Sequence, residues 1–150
     1  MEIWEPTTFE DKLLYKYWNE NKGNLFLEVP VGNKELGNWP PGSKIRRIDG
    51  VLLPNNIDAN KDVAYTYKDY SIANFNEQAK GNTIELIEVK RKLNRVVIGQ
   101  VLAGIDMFER QYEARKIIPV ILCHVGDPAL EWVCKKRNIE VYIINNISTT

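Results

Sequence analysis

Asp49, in the stretch Arg47-Ile48-Asp49-Gly50, and the triplet Glu88-Val89-Lys90 are the residues here best suited to chemistry. Both lie in apolar runs of strand character. Side chains on a strand alternate between faces, so Glu88 and Lys90 point the same way. Packing gives no reason to place an acid and a base together on a buried strand. Burying either charge is unfavourable unless the two pair or serve a cation. Two carboxylates and a backbone carbonyl are the oxygen donors that Mg²⁺ prefers, and Mn²⁺ accepts the same set. Such an ion acidifies water and stabilises charge on a phosphorus centre. Asp49 and Glu88 are therefore the candidate metal ligands, with the Val89 carbonyl as a third. Lys90 is placed to orient the attacking water or stabilise the transition state.

Basic residues gather around these acids. Lys44, Arg46 and Arg47 precede Asp49, and Arg91, Lys92 and Arg95 follow Lys90. Lys44, Arg47, Arg91, Lys92 and Arg95 are the candidate nucleic-acid contacts, since such side chains neutralise phosphates. The bland alternative is a solvated strand end. Net charge is zero, with 20 basic and 20 acidic residues, which argues against a protein that coats nucleic acid indiscriminately.

Hydrophobic periodicity supplies the elements that must position these groups. A first helix is expected over about residues 8–20, with Phe9, Leu13, Leu14 and Tyr17 on one face. Thr7 and Glu10 have the spacing of a capping box. Glu10 also falls on the inner face, where an acid could help hold a metal. Strands are expected over 25–31, 45–53 and 84–90, a long helix over 94–112 and a strand over 117–125. A short helix over 127–138, begun by Asp127-Pro128, and a strand over 140–144 complete the order. By simple alternation Asp49 shares a face with Arg47, Val51 and Leu53, leaving Arg46 on the other. Gln100 borders the apolar stripe of the long helix near Val97, Gly104 and Met107. It is a further candidate catalytic residue, or a helix glutamine bonded to backbone. Residues 55–83 form a polar insertion too long for a plain connection. Its Tyr65, Tyr67, Tyr70 and Phe75 either stack bases beside lysines or bury themselves on the core. Glu85 faces away from Glu88 and reads as a surface or edge charge. His124 reads as structural.

At 150 residues, 44% of them hydrophobic and 27% charged, the chain is expected to form one soluble domain without disulfides. Cys123 and Cys134 lack a second Cys or His at zinc spacing. No signal peptide or membrane span is visible, and a reducing cytoplasm is expected.

Asp49 followed by Glu88-Val89-Lys90, in the order α-β-β-β-α-β-α-β, resembles the PD-(D/E)xK nuclease superfamily. The resemblance covers three motif residues and most of the chain as topology. Ile48 stands where the family name has proline. Gly104 stands where exonuclease branches carry a tyrosine four residues after a glutamine resembling Gln100. The resemblance implies an α/β, restriction-endonuclease-like fold, a mixed sheet flanked by helices. It also implies an enzyme hydrolysing phosphodiester bonds of nucleic acid, DNA first, with Mg²⁺ or Mn²⁺. Many members are homodimers, which leaves a homodimer open here. Two other readings stand beside it. One is an inactive nuclease-like fold that binds nucleic acid or protein. The other is an unrelated α/β binding domain whose Asp49, Glu88 and Lys90 form surface salt bridges.

Overall fold

The computed structural model describes residues 3–32, 36–54 and 62–147. The described elements are α1 (Phe9–Asn21), β1 (Asn24–Val31), β2 (Arg46–Leu53), β3 (Ala64–Tyr65) and α2 (Ile72–Ala79), then β4 (Thr83–Lys92), α3 (Arg95–Gln111), β5 (Lys116–Val125), α4 (Pro128–Lys136) and β6 (Glu140–Ile143). The α/β domain has one mixed six-stranded sheet in the order β3-β1-β2-β4-β5-β6. β1, β2 and β4 form an antiparallel meander, and β5 and β6 add in parallel. β5 and β6 each follow a helix, the usual crossover for parallel pairing, whereas the short β3 pairs in parallel with β1 without one directly before it. Pro119 lies in β5 one residue before pairing with β6 begins at Val120, so its missing N–H interrupts no bond to β6.

Helices cover both faces of the sheet. α1 packs Leu13, Leu14 and Tyr17 against Leu25, Leu27, Leu52, Ile87 and Val89. On the opposite face α2 and α3 bring Phe75, Ala79, Phe108 and Tyr112 onto Phe26, Val29, Ile48, Val51 and Leu86. Burial of these side chains, about 1.5–3 kcal/mol each, supplies the main stabilisation. Gly50 lets α1 come close, because a Cβ there would lie 3.3 Å from Leu14 Cδ2 and 3.2 Å from Leu25 Cδ1.

One expectation needs local correction. The α1 cap is Thr8 with Asp11, one residue later than Thr7 with Glu10. The Asp11 N–H donates to Thr8 Oγ1 at 3.0 Å and the Thr8 N–H reaches Asp11 Oδ2 at 3.5 Å. Glu10 is thereby released from the cap. In the insertion at 55–83, residues 55–61 lie outside the described residues. The remainder buries most of its rings, as the bland alternative has it. Tyr65 stacks on Phe26 at 4.8 Å between centroids, and Phe75 meets Phe26, Phe108 and Tyr112 edge-on. Tyr67 alone of the four is exposed.

Candidate active site

Asp49 sits where two strand pairings fail together. β1 pairs with β2 from Asn24↔Leu53 to Leu27↔Gly50 and again from Val29↔Ile48, skipping Glu28 and Asp49, which face each other in that register. Glu28 holds φ at 54°, the left-handed region that a non-glycine residue rarely adopts. The kink shifts the alternation by one residue on each strand. Phe26 and Val29 both join the α3-side core, as do Ile48 and Val51, although each pair is an odd number of residues apart. Asp49 therefore opens toward α1, away from Val51 and Leu53. Simple alternation fails at this point because it assumes an unbroken ladder.

The β2–β4 pairing likewise covers Leu52↔Glu85 to Gly50↔Ile87. Beyond it the strands are joined by reciprocal side-chain bonds. The Asp49 N–H donates to Glu88 Oε1 at 2.9 Å, and the Val89 N–H donates to Asp49 Oδ2 at 2.8 Å. In an extended residue N–H and carbonyl point the same way, so the Val89 carbonyl also faces the gap. Glu88 is only 6% exposed.

Burial raises both acids, and they repel each other. Glu88 is pushed up to about 8 by desolvation first and then by the Asp49 charge, against the Asp49 N–H bond and Lys90. Asp49 is raised to about 6 by desolvation, with Asp11 and Glu10 adding to the rise and the Val89 N–H and Lys90 opposing it. The pair titrates as a unit, so around neutral pH it retains a proton. Lys90 acts on both acids, yet Lys80–Glu113 is the one ion pair among the described residues. A surface salt bridge of Lys90 with Asp49 or Glu88 is thus excluded.

The gap opens on both faces. Toward α1 lies a cavity of about 250 Å³ lined by Asp49, Val89, Glu10, Asp11, Glu28 and Tyr67, among others. Toward α3 lies a larger groove, lined by Glu88, Gln100, Arg46 and Arg47 among others. Asp49 and Glu88 are thus brought together through the gap, whereas their approaches from solvent lie on opposite faces. Lys90 shares Glu88's strand parity, and its neighbour in β5, Cys123, is in the α3-side core. Lys90 thus lies on the face opposite Asp49, and Asp49, Glu88 and Lys90 do not converge on one face as strand alternation leads one to expect. Arg47 lies over the Tyr67 ring at 5.6 Å, on the side where the Asp49 cavity has its wall. Lys44, Arg47, Arg91, Lys92 and Arg95 are all exposed, and Arg91 rests on Phe9 at 4.6 Å.

No family model, curated protein or solved structure matches the chain. The site must be judged by its own chemistry. Its donors are hard oxygens, two buried carboxylates and a carbonyl, and a dication would offset the desolvation that raises both acids and the Asp49 charge that raises Glu88 further. On that ground Asp49, Glu88 and Val89 fit Mg²⁺ or Mn²⁺. Among the described residues no three His, Cys, Asp or Glu side chains cluster closely enough to hold an ion by themselves. No described helix is long and apolar enough to cross a membrane.

Three polar arrangements escaped the sequence reading. Glu28 had no signal beyond being a charge within an apolar run. Glu85 is no surface charge: it accepts the Tyr17 hydroxyl at 2.5 Å beneath α1. Buried Gln111 bonds the Gly32 N–H, the Trp39 indole and the Pro30 carbonyl, tying α3 to the loop after β1. His124 is structural, its Nδ1 2.8 Å from the Ile144 carbonyl.

Proposed function

We propose that the chain is a metal-dependent nuclease of restriction-endonuclease-like fold, hydrolysing phosphodiester bonds in nucleic acid, DNA first. The observation that carries this reading is the pair of reciprocal bonds between Asp49 and β4, and between Glu88 and β2, at the point where the strands part. They hold two buried, mutually repelling carboxylates beside a lysine that neither acid engages directly. A fold maintaining that repulsion for packing alone would gain from an amide at either position.

Asp49, Glu88 and the Val89 carbonyl would hold Mg²⁺ or Mn²⁺, which when bound supplies positive charge to the phosphate oxygens and a more acidic water. The backbone N–H groups of Asp49 and Val89 fix one oxygen of each carboxylate. Lys90 remains free to meet charge on the scissile phosphate. Glu10, released from the helix cap, opens onto the Asp49 cavity and can orient water there. Lys44, Arg47, Arg91, Lys92 and Arg95 bind phosphates of the flanking strand, and Gln100 borders the approach to Glu88.

The test is cleavage of labelled single-stranded and duplex oligonucleotides with Mg²⁺, with Mn²⁺ and with chelator. Metal-dependent cleavage that disappears in Asp49→Asn and Glu88→Gln supports the reading. That only two carboxylates, and no three-side-chain ligand group among the described residues, meet at the gap favours a second one, an inactive nuclease-like module that binds nucleic acid or protein. Binding of the same oligonucleotides without cleavage under any metal would favour it.

A further inference from the structure

The opening on the α3 side is a groove of about 590 Å³ between β2 and α3. Arg46, Arg47 and Ile48 line it from β2, and buried Glu88 lines it from β4. The α3 wall combines Gly99, Ala103 and Gly104 with Val96, Gln100 and Met107.

Gly99 makes this wall informative. It lies inside α3, and a Cβ added there would meet nothing within 4 Å. Neither close packing nor a positive φ requires glycine at this position. Glycine inside a helix nevertheless costs about 1 kcal/mol relative to alanine. One turn later Ala103 is also small and exposed, and Val96, one turn earlier, is 62% exposed. The helix thus gives up stability while leaving apolar surface open, across from Arg46 and Arg47 of β2 and beside a buried carboxylate. That combination suits a ligand with flat apolar faces, a polar edge and a phosphate attached to it.

The geometry points to this groove as the seat of an unpaired nucleotide of a nucleic-acid strand. The base lies against Ile48 and Met107, its edge reaches the Gln100 amide, and flanking phosphates meet Arg46 and Arg47. This inference rests on the nuclease reading for its class of ligand and narrows that class to single-stranded or locally opened substrates. In an intact duplex the faces of the bases are stacked and unavailable, so a base must be unpaired or extruded to enter.

The experiment measures binding in chelator, where no metal-dependent cleavage occurs, by anisotropy of a labelled single strand, its duplex and a labelled mononucleotide. Gly99→Phe and Ala103→Phe each fill the groove from an exposed helix position. Gly99→Ala is the control, expected to raise the thermal midpoint and keep binding. Because one base held this way accounts for about tenfold to a hundredfold in affinity, both phenylalanine variants should weaken single-strand binding by that factor. Arg46→Ala with Arg47→Ala, at exposed positions, should lower the salt slope by about two and tests the same seat if the phenylalanine variants do not fold.

Folded phenylalanine variants that bind the single strand as well as wild type would overturn the inference. So would equal affinity for duplex, tight binding of the free mononucleotide, or no single-strand binding by wild type. Self-association broken by Gly99→Phe without any effect on nucleic acid would also overturn it, making a second copy the occupant. Metal-dependent cleavage untouched by filling the groove would remove this inference and leave the nuclease reading. Groove-dependent binding with no cleavage under any metal would do the reverse.

Discussion

Replacing Glu88 by glutamine removes one of two repelling charges while keeping an oxygen that can accept the Asp49 N–H. In the fold the Glu88 carboxyl is raised from 4.5 to about 8, first by burial and then by Asp49. A raised acid makes the folded state bind more protons than the unfolded one, so stability falls as pH rises from about 4.5 toward 8. Each tenfold change in proton affinity corresponds to about 1.4 kcal/mol, giving an upper bound of about 5 kcal/mol for full ionisation. Water entering the parted strands raises the effective dielectric, and about 2 kcal/mol is the expected effect. Glu88→Gln should therefore match wild type within about 1 kcal/mol at pH 5 and exceed it by about 2 kcal/mol at pH 9 in chelator. For a chain of this length that is about 4–8 °C in thermal midpoint. Urea unfolding of both proteins at the two pH values measures it. A variant less stable than wild type at pH 9, or a difference independent of pH, would refute the argument that burial and the Asp49 charge together raise Glu88.

Because the carboxyl pair retains a proton near neutrality, Mg²⁺ binding should release it and tighten as pH rises from about 6 to about 8; calorimetry in buffers of different ionisation heat would show the release, and pH-independent binding would count against these ligands. Glu28→Gly should stabilise the chain by about 1 kcal/mol by relieving a left-handed residue, whereas Glu28→Val should destabilise it by more than that. Denaturant midpoints giving the opposite order would mean that the kink at Glu28 is not what turns Asp49 toward α1. Phe75→Ala should destabilise by about 3–5 kcal/mol, since its fully buried ring joins the insertion to β1 and α3; an effect under about 1 kcal/mol would make the insertion an appendage rather than part of the core.

The helices and the meander were legible because their apolar spacing reflects real faces. Asp127 does cap α4, as a short polar side chain before apolar periodicity suggests, and Asn94, read only as the start of the long helix, caps α3. The Glu88–Lys90 alternation could be read because β4 is unbroken. Asp49 could not be oriented, because its direction depends on a backbone kink in another strand, at Glu28, where nothing in the residue type announces φ of 54°. Glu10 was ambiguous for a similar reason: a one-residue shift of the cap decides whether it serves the helix or the cavity. The partnering of Glu85 with Tyr17 joins residues far apart in sequence, which local patterning cannot supply.

The most direct test of the central claim is a cleavage assay on a fluorescent oligonucleotide with wild type, Asp49→Asn and Glu88→Gln, each verified as folded. Wild type should cleave with Mg²⁺ or Mn²⁺ and not with chelator, and both variants should lose at least about a hundredfold in rate, as expected when a group needed for transition-state stabilisation is removed. Cleavage that persists in folded Asp49→Asn and Glu88→Gln, or that ignores chelator, would contradict the assignment of these two carboxylates as the metal-binding centre.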